Sequence, residues 1–221
     1  MTAFVGGFLR RAQARHLIWI VNSGTRKMDF YKNSVLSPNC ARIAEESFVY
    51  EESYNETVSR HDPAFIELLT GGNVGLEWPN YTFLKDATGF SRLPDILRVS
   101  RPHAIVVRDT STDIGHQKNA YFQYLEACKS TDRQIGRIFD FVKSDPYFCR
   151  TTTILIRPEF GRDDEATPDG ELHHSTGYYQ SHYSAEIWWG EVFRPGLDKS
   201  PRNRRDVASD VGKLLNATIK G

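Results

Sequence analysis

The chain has 221 residues, 39% of them apolar and 12% aromatic, which is enough for one sizeable core and would be cramped for two full domains. Its 28 basic residues balance 28 acidic ones, so net charge leaves no general footprint for nucleic acid or for an anionic membrane. Three widely spaced cysteines, Cys40, Cys128 and Cys149, fit neither a zinc ribbon nor a disulfide framework and read as ordinary buried thiols, which leaves the compartment open.

No run approaches the roughly 18 apolar residues of a membrane span, and the N-terminus has no signal-peptide core. Leu17 to Val21 is a continuous apolar run stopped by Asn22-Ser23-Gly24, the pattern of a central strand buried on both faces. Cys40 to Phe48 allows a short amphipathic helix, and Phe48 to Tyr54 a strand. Pro63 opens a helix over Ala64 to Leu69, closed by Thr70-Gly71-Gly72.

Residues 71–102 carry glycines and prolines without a sustained period and read as an irregular insertion or lid, with a short helix or strand over Leu93 to Val99. Ala104 to Val107 is a second buried strand, ending at Arg108-Asp109. Asn119 to Val142 keeps helical spacing, as a crossover between parallel strands does, and Asp145-Pro146 ends it. Thr152 to Ile156 and Ala185 to Trp189 are further strands, and Asp206 to Leu215, within 200–221, is a final helix. Strand and helix alternate, which makes the class α/β and the chain, 1–221, one domain.

Polar side chains just past strand ends gather on one crevice of an open parallel sheet. Here they are Asn22-Ser23, Asp109 to His116, Glu159 and His173-His174. Imidazole nitrogen and carboxylate oxygen are the usual ligands of zinc and similar ions. Trp188-Trp189 reads as core. Tyr178, Tyr179 and Tyr183 with His182 form an aromatic loop near the crevice. Arg162-Asp163-Asp164-Glu165 reads as a solvated charged loop, with Arg162 able to bind an anion at the crevice mouth. Arg202, Arg204 and Arg205 read as a solvated face.

Thr151-Thr152-Thr153-Ile154-Leu155-Ile156, then Glu159-Phe160-Gly161-Arg162, His173-His174 and Pro195-Gly196, resemble the C-terminal metal-site segment of the alkaline phosphatase superfamily, which includes sulfatases and phosphodiesterases. Upstream, Gly24, Arg26 and Phe30, then Pro38-Asn39 with Ala44-Glu45, and His61-Asp62-Pro63 through Thr70-Gly71 follow the same order. The resemblance implies a three-layer α/β/α sandwich on a mostly parallel sheet. It implies one metal position from Asp109 or Asp113, His116, and His173 or His174. The other position departs from the pattern, with Ser23 for an aspartate, Glu159 for an aspartate, Phe160 for a histidine, and His61 where the nucleophile stands.

Two functional expectations follow from the resemblance. The first is a degenerate, non-catalytic member acting as a binding or structural subunit of a larger assembly, with protein partners and no nucleic acid. The second is a hydrolase of phosphate, phosphonate or sulfate esters, small anionic substrates, using a single divalent metal (zinc, manganese or calcium) with water or His61 as nucleophile. A dead site would need no metal at all. Members of the superfamily are often exported or periplasmic, and the sequence itself does not fix a location.

Overall fold

The computed structural model describes residues 14–55, 60–72, 81–116, 120–163, 167–168, 171, 173–174 and 179–215. Among them an eight-stranded mixed sheet forms the middle layer. Its strands are β1 (His16–Asn22), β2 (Phe48–Tyr54), β3 (Tyr81–Lys85), β4 (Ala104–Asp109), β5 (Thr152–Ile156), β6 (Tyr183–Trp189), β7 (Gly196–Asp198) and β8 (Arg202–Asn203). The order is β3-β4-β1-β5-β6-β2-β7, with β8 also on β2. β1 pairs parallel with both β4 and β5, and β3 pairs parallel with β4. β6 runs antiparallel to its neighbours β5 and β2.

The apolar run of β1 is buried at every position because both sheet faces are covered. Ile18 and Ile20 point into one core with Val107, Ile154 and Ile187. Helices α1 (Pro38–Glu45), α3 (Asp86–Ser100) and α4 (Tyr121–Ser144) supply its other wall through Ile43, Leu93 and Phe139. Leu17, Trp19 and Val21 point the opposite way, into a second core with Val106, Leu155 and Trp188. That side is closed by α2 (His61–Thr70) and α6 (Asp206–Leu215), through Leu68 and Val211. The period of two along a strand thus produces three layers from one sequence pattern.

Helix ends follow local chemistry. α2 stops at Gly71, whose φ of 65° is left-handed and whose N–H bonds the Glu67 carbonyl at 2.8 Å. Pro63 lies in its first turn, two residues inside the start, where a missing N–H costs no helical bond. Residues 71–102 differ from the expectation of an irregular insertion. Residues 81–100 are regular, forming edge strand β3 and the fifteen-residue α3, which carries Pro94 internally. Packing of Phe90, Leu93 and Leu97 against the sheet overrides the proline. A four-residue turn, α5 (Phe148–Thr151), joins α4 to β5.

Two arginines of the basic run expected as a solvated face, Arg202 and Arg204, are instead tied into the fold, while Arg205 stays exposed. Arg204 is fully buried and bonds Glu67, with its Nη1 donating to the Glu159 carbonyl at 3.1 Å. Arg202 reaches Glu186 at 3.0 Å and Asp210 at 2.6 Å. Glu186, completely buried, also accepts from Ser53 Oγ at 2.6 Å and Trp188 Nε1 at 3.0 Å, and lies 3.4 Å from Arg157 Nε. Burial pushes its carboxyl up, but the Arg202 and Arg157 guanidiniums outweigh burial and hold it below the usual range. Cys40 and Cys128 are buried free thiols. Among the described residues no helix is long and apolar enough to cross a membrane.

Candidate metal centre

The crevice lies at the C-terminal ends of β1, β4 and β5, with the head of α2 above it. Past β5 the chain keeps its strand-like pairing with β1, Arg157 N–H to Ile20 O at 3.0 Å and Glu159 N–H to Asn22 O at 2.9 Å. These bonds fix the Glu159 backbone, and its side chain is completely buried. His61, the first residue of α2, meets it: Nδ1 lies 2.8 Å from Glu159 Oε2. The other ring nitrogen, Nε2, lies 2.6 Å from Asp113 Oδ1, carried on the helical turn Ser111–His116 that follows β4. Arg108 of β4 donates Nε to the remaining Glu159 oxygen at 2.6 Å and Nη1 to Asp62 at 2.8 Å.

His174 completes the cluster. Its ring lies edge-on to His61, centroids 4.8 Å apart, and tilted against Phe160 at 4.3 Å. Ligand atoms of His61, Asp113 and His174 all lie within 4.8 Å of one another. Phe160 is fully buried and fills the space next to this group. A Cβ on Gly24 would sit 2.5 Å from the Phe160 ring, and Gly24 has a φ of +30°. Glycine at 24 and phenylalanine at 160 are therefore one packing solution.

Burial pulls the His61 pKa down, but the hydrogen bonds to Asp113 and Glu159 outweigh it and raise it to about 9. In the metal-free protein the ring is thus an imidazolium bridging two carboxylates. Its folded pKa lies above the ordinary value of 6.5, so the stability it contributes is complete below about pH 6.5 and disappears as pH rises through about 9. We expect metal-free protein to lose urea stability between those limits, and a His61→Gln variant to lose that portion of the pH dependence. A His61 ring-proton NMR midpoint near 6.5 would contradict the clamp.

The sequence candidates divide into three groups. Asp113, His174, His61 and Glu159 are brought together. Asp109 is not: alternation along β4 sends Arg108 to the α2 face and Asp109 to the α4 face. There its carboxylate is held by Thr131 Oγ1 and by Ser111 N–H at 3.0 Å. His173 is not in that group and pairs with Glu171 at 3.2 Å. The His116 side chain lies outside the described residues. Arg162 is fully buried, contrary to a place at the crevice mouth. It donates Nε to Gly24 O and Nη2 to Thr112 O at 3.1 Å, and lies 3.5 Å from Asp113. Its role is to hold two loops together beneath the crevice.

Arg108 was not legible as a site residue, since an arginine at the end of a strand looks like any surface cation. The signal was its adjacency to Asp109, because one of two neighbouring strand residues must face α2. At the other position that the resemblance implies, Ser23 offers a hydroxyl and Phe160 a ring.

No protein-family model matches the chain, and no curated protein matches it in sequence. Solved structures do match. A protein of the alkaline phosphatase superfamily from Vibrio parahaemolyticus superposes with a TM-score of 0.69 at 12% identity, over 97% of this chain and 69% of its own. A protein solved with its substrate, D-glucosamine-2-N,6-O-disulfate, gives 0.71 at 8% identity, over 95% and 78%. A protein of glycosaminoglycan metabolism from Bacteroides thetaiotaomicron gives 0.67 at 10%, over 92% and 73%. The fold is alkaline phosphatase-like and sulfatase-like, and at these identities the likeness is one of fold.

Proposed function

We propose that this chain is a hydrolase of small anionic esters that works with one divalent metal ion held by His61, Asp113 and His174. The observation that carries the reading is the convergence of these three donors with Glu159 directly behind His61. Metal-bound histidines characteristically give their second ring N–H to a carboxylate, which fixes tautomer and orientation. Glu159 is placed to do this through Nδ1, leaving Nε2 to face Asp113 and His174. Two imidazoles and one carboxylate make a zinc-type set that leaves further positions for water and substrate. Bonds of about 2.0–2.2 Å require donors within about 4 Å of one another, so a set inside 4.8 Å would close on an ion by side-chain adjustments of up to about an ångström.

The bound ion would polarise the ester and supply a water-derived nucleophile near neutral pH. The chain's own residues prepare its place. Glu159 carries the His61 N–H, Arg108 offsets the Glu159 charge, and Phe160 excludes water from the side where a second ion would lie. Because His61 heads α2, no hydroxyl or thiol is offered there for a covalent intermediate, and water is the attacking group. Which ester class is accepted, phosphate, phosphonate or sulfate, follows from a substrate panel.

A second reading has its own support. Both His61 nitrogens already meet carboxylates, so the imidazolium can stand permanently where a cation is wanted, in a non-catalytic binding or structural subunit. One experiment separates the two. Metal content is measured by elemental mass spectrometry after chelator-free purification and resupply at pH 8, and turnover is followed over the ester panel. About one equivalent of metal, with turnover lost in His174→Ala, supports the hydrolase. No retained metal and no turnover favours the binding protein.

A further inference from the structure

Beside the metal centre, on the other side of Arg162, lies a cavity of about 380 Å³ that belongs to neither reading above. It is lined by Lys27, Lys32, Glu52, Tyr179, Gln180 and Tyr183, with Met28 at its edge and Arg162 behind. Tyr179 is 68% exposed, yet its ring is stacked on Tyr183 with centroids 4.3 Å apart and planes 29° from parallel. A hydrogen bond with Tyr179, more than burial, pushes the Tyr183 phenol up to about 12, so the Tyr183 ring remains neutral across ordinary pH. The cavity thus holds an exposed aromatic surface that is already braced from one side.

The charges around that surface are compensated. Lys27 pairs with Glu52 and Lys32 with Glu51. Arg162 is committed to Gly24 O, Thr112 O and Asp113. An anion entering here would have to break an existing ion pair to gain a cation. A purely aromatic ligand would cover Lys27, Glu52 and Gln180 without meeting the hydrogen-bonding capacity they keep towards solvent, which is costly on burial. A polyhydroxylated ring satisfies both halves: its apolar C–H face packs on a tyrosine, and adjacent hydroxyls can accept from Lys27 and donate to Glu52. The size is that of an ordinary small-molecule site.

We propose that the cavity between Lys27, Glu52, Gln180 and the Tyr179–Tyr183 stack binds a neutral saccharide ring, independently of any metal at His61. The test is an amide NMR titration of the full chain with methyl α-D-glucopyranoside and methyl α-D-galactopyranoside, and with methyl α-D-glucuronide as the anionic comparator. Saturable shifts confined to Lys27, Met28, Glu52 and Tyr179 to Tyr183 are expected with at least one neutral glycoside. Tyr179→Ala is expected to weaken that binding at least about tenfold, equivalent to ~1.4 kcal/mol, while Tyr179→Phe retains it. Glu52→Gln is expected to weaken it as well, and unchanged shifts across β1 verify the fold of each variant. Absence of saturable shifts with every glycoside overturns the proposal. So does equal affinity in Tyr179→Ala, and tighter binding of the glucuronide than of the neutral sugars overturns the assignment of a neutral ligand.

Discussion

Asp113→Ala is expected to leave the protein folded and to reduce its affinity for zinc at least about 100-fold, a larger loss than that of supporting groups, which cost about 10–100-fold. Asp113 is the most exposed member of the cluster, with 44% of its side chain accessible, so its removal opens no cavity. Glu159→Gln is expected to fall within the supporting range, because it keeps the side chain's volume and exchanges the charged acceptor for a neutral one. Proton competition supplies an independent signature. His61 is protonated below about 9 in the metal-free state, and a ligand nitrogen must lose its proton to bind. Zinc affinity should therefore climb with pH by about tenfold per unit up to that value and then level off. Isothermal titration across pH 6 to 10 measures both effects. An affinity that ignores Asp113, or that is flat with pH, would place any bound ion elsewhere.

The second large effect concerns stability. Glu186→Ala removes the carboxylate on which Arg157 and Arg202 converge and leaves Arg157 charged and fully buried without it. Breaking a buried pair by deleting one partner costs about 3–5 kcal/mol, which in a domain of this size lowers Tm by about 6–20 °C. The hydrogen bonds from Ser53 and Trp188 to the same carboxylate add to the loss. A double variant, Glu186→Leu with Arg157→Met, should be less damaging than the single one, because it removes both charges together. Calorimetry on the three proteins decides the matter. A single variant within about 1 kcal/mol of the wild type would mean that water reaches the cluster and solvates the stranded arginine.

The strands and most helices were legible because their signals are local. Leu17 to Val21 is apolar at successive positions, which only a strand covered on both faces explains. Gly71 follows the last residue of α2 because the helix exit needs a left-handed residue. By contrast, β3 and α3 were hidden, since Tyr81 and Phe83 on an edge strand and a proline within α3 give no clean period. Their order comes from packing on β4.

The candidate centre shows the same division. The residues themselves announced which chemistry was present, carboxylates and imidazoles past strand ends, and the resemblance added that Ser23 and Phe160 stand where further ligands would. The resemblance, rather than the helical period, put His61 at the head of a helix. The choice between Asp109 and Asp113 belongs to the pleat of β4 and the turn after it, since neighbouring strand residues must face opposite ways. The burial of Arg162 and Arg204, both charged and both written into polar stretches, is likewise set by partners far away in sequence, Gly24 and Thr112 for one and Glu67 for the other. The sequence by itself determined the kinds of groups and the elements that carry them. Tertiary structure decided which groups meet, because a side chain's direction depends on pairing register and on neighbours tens of residues distant.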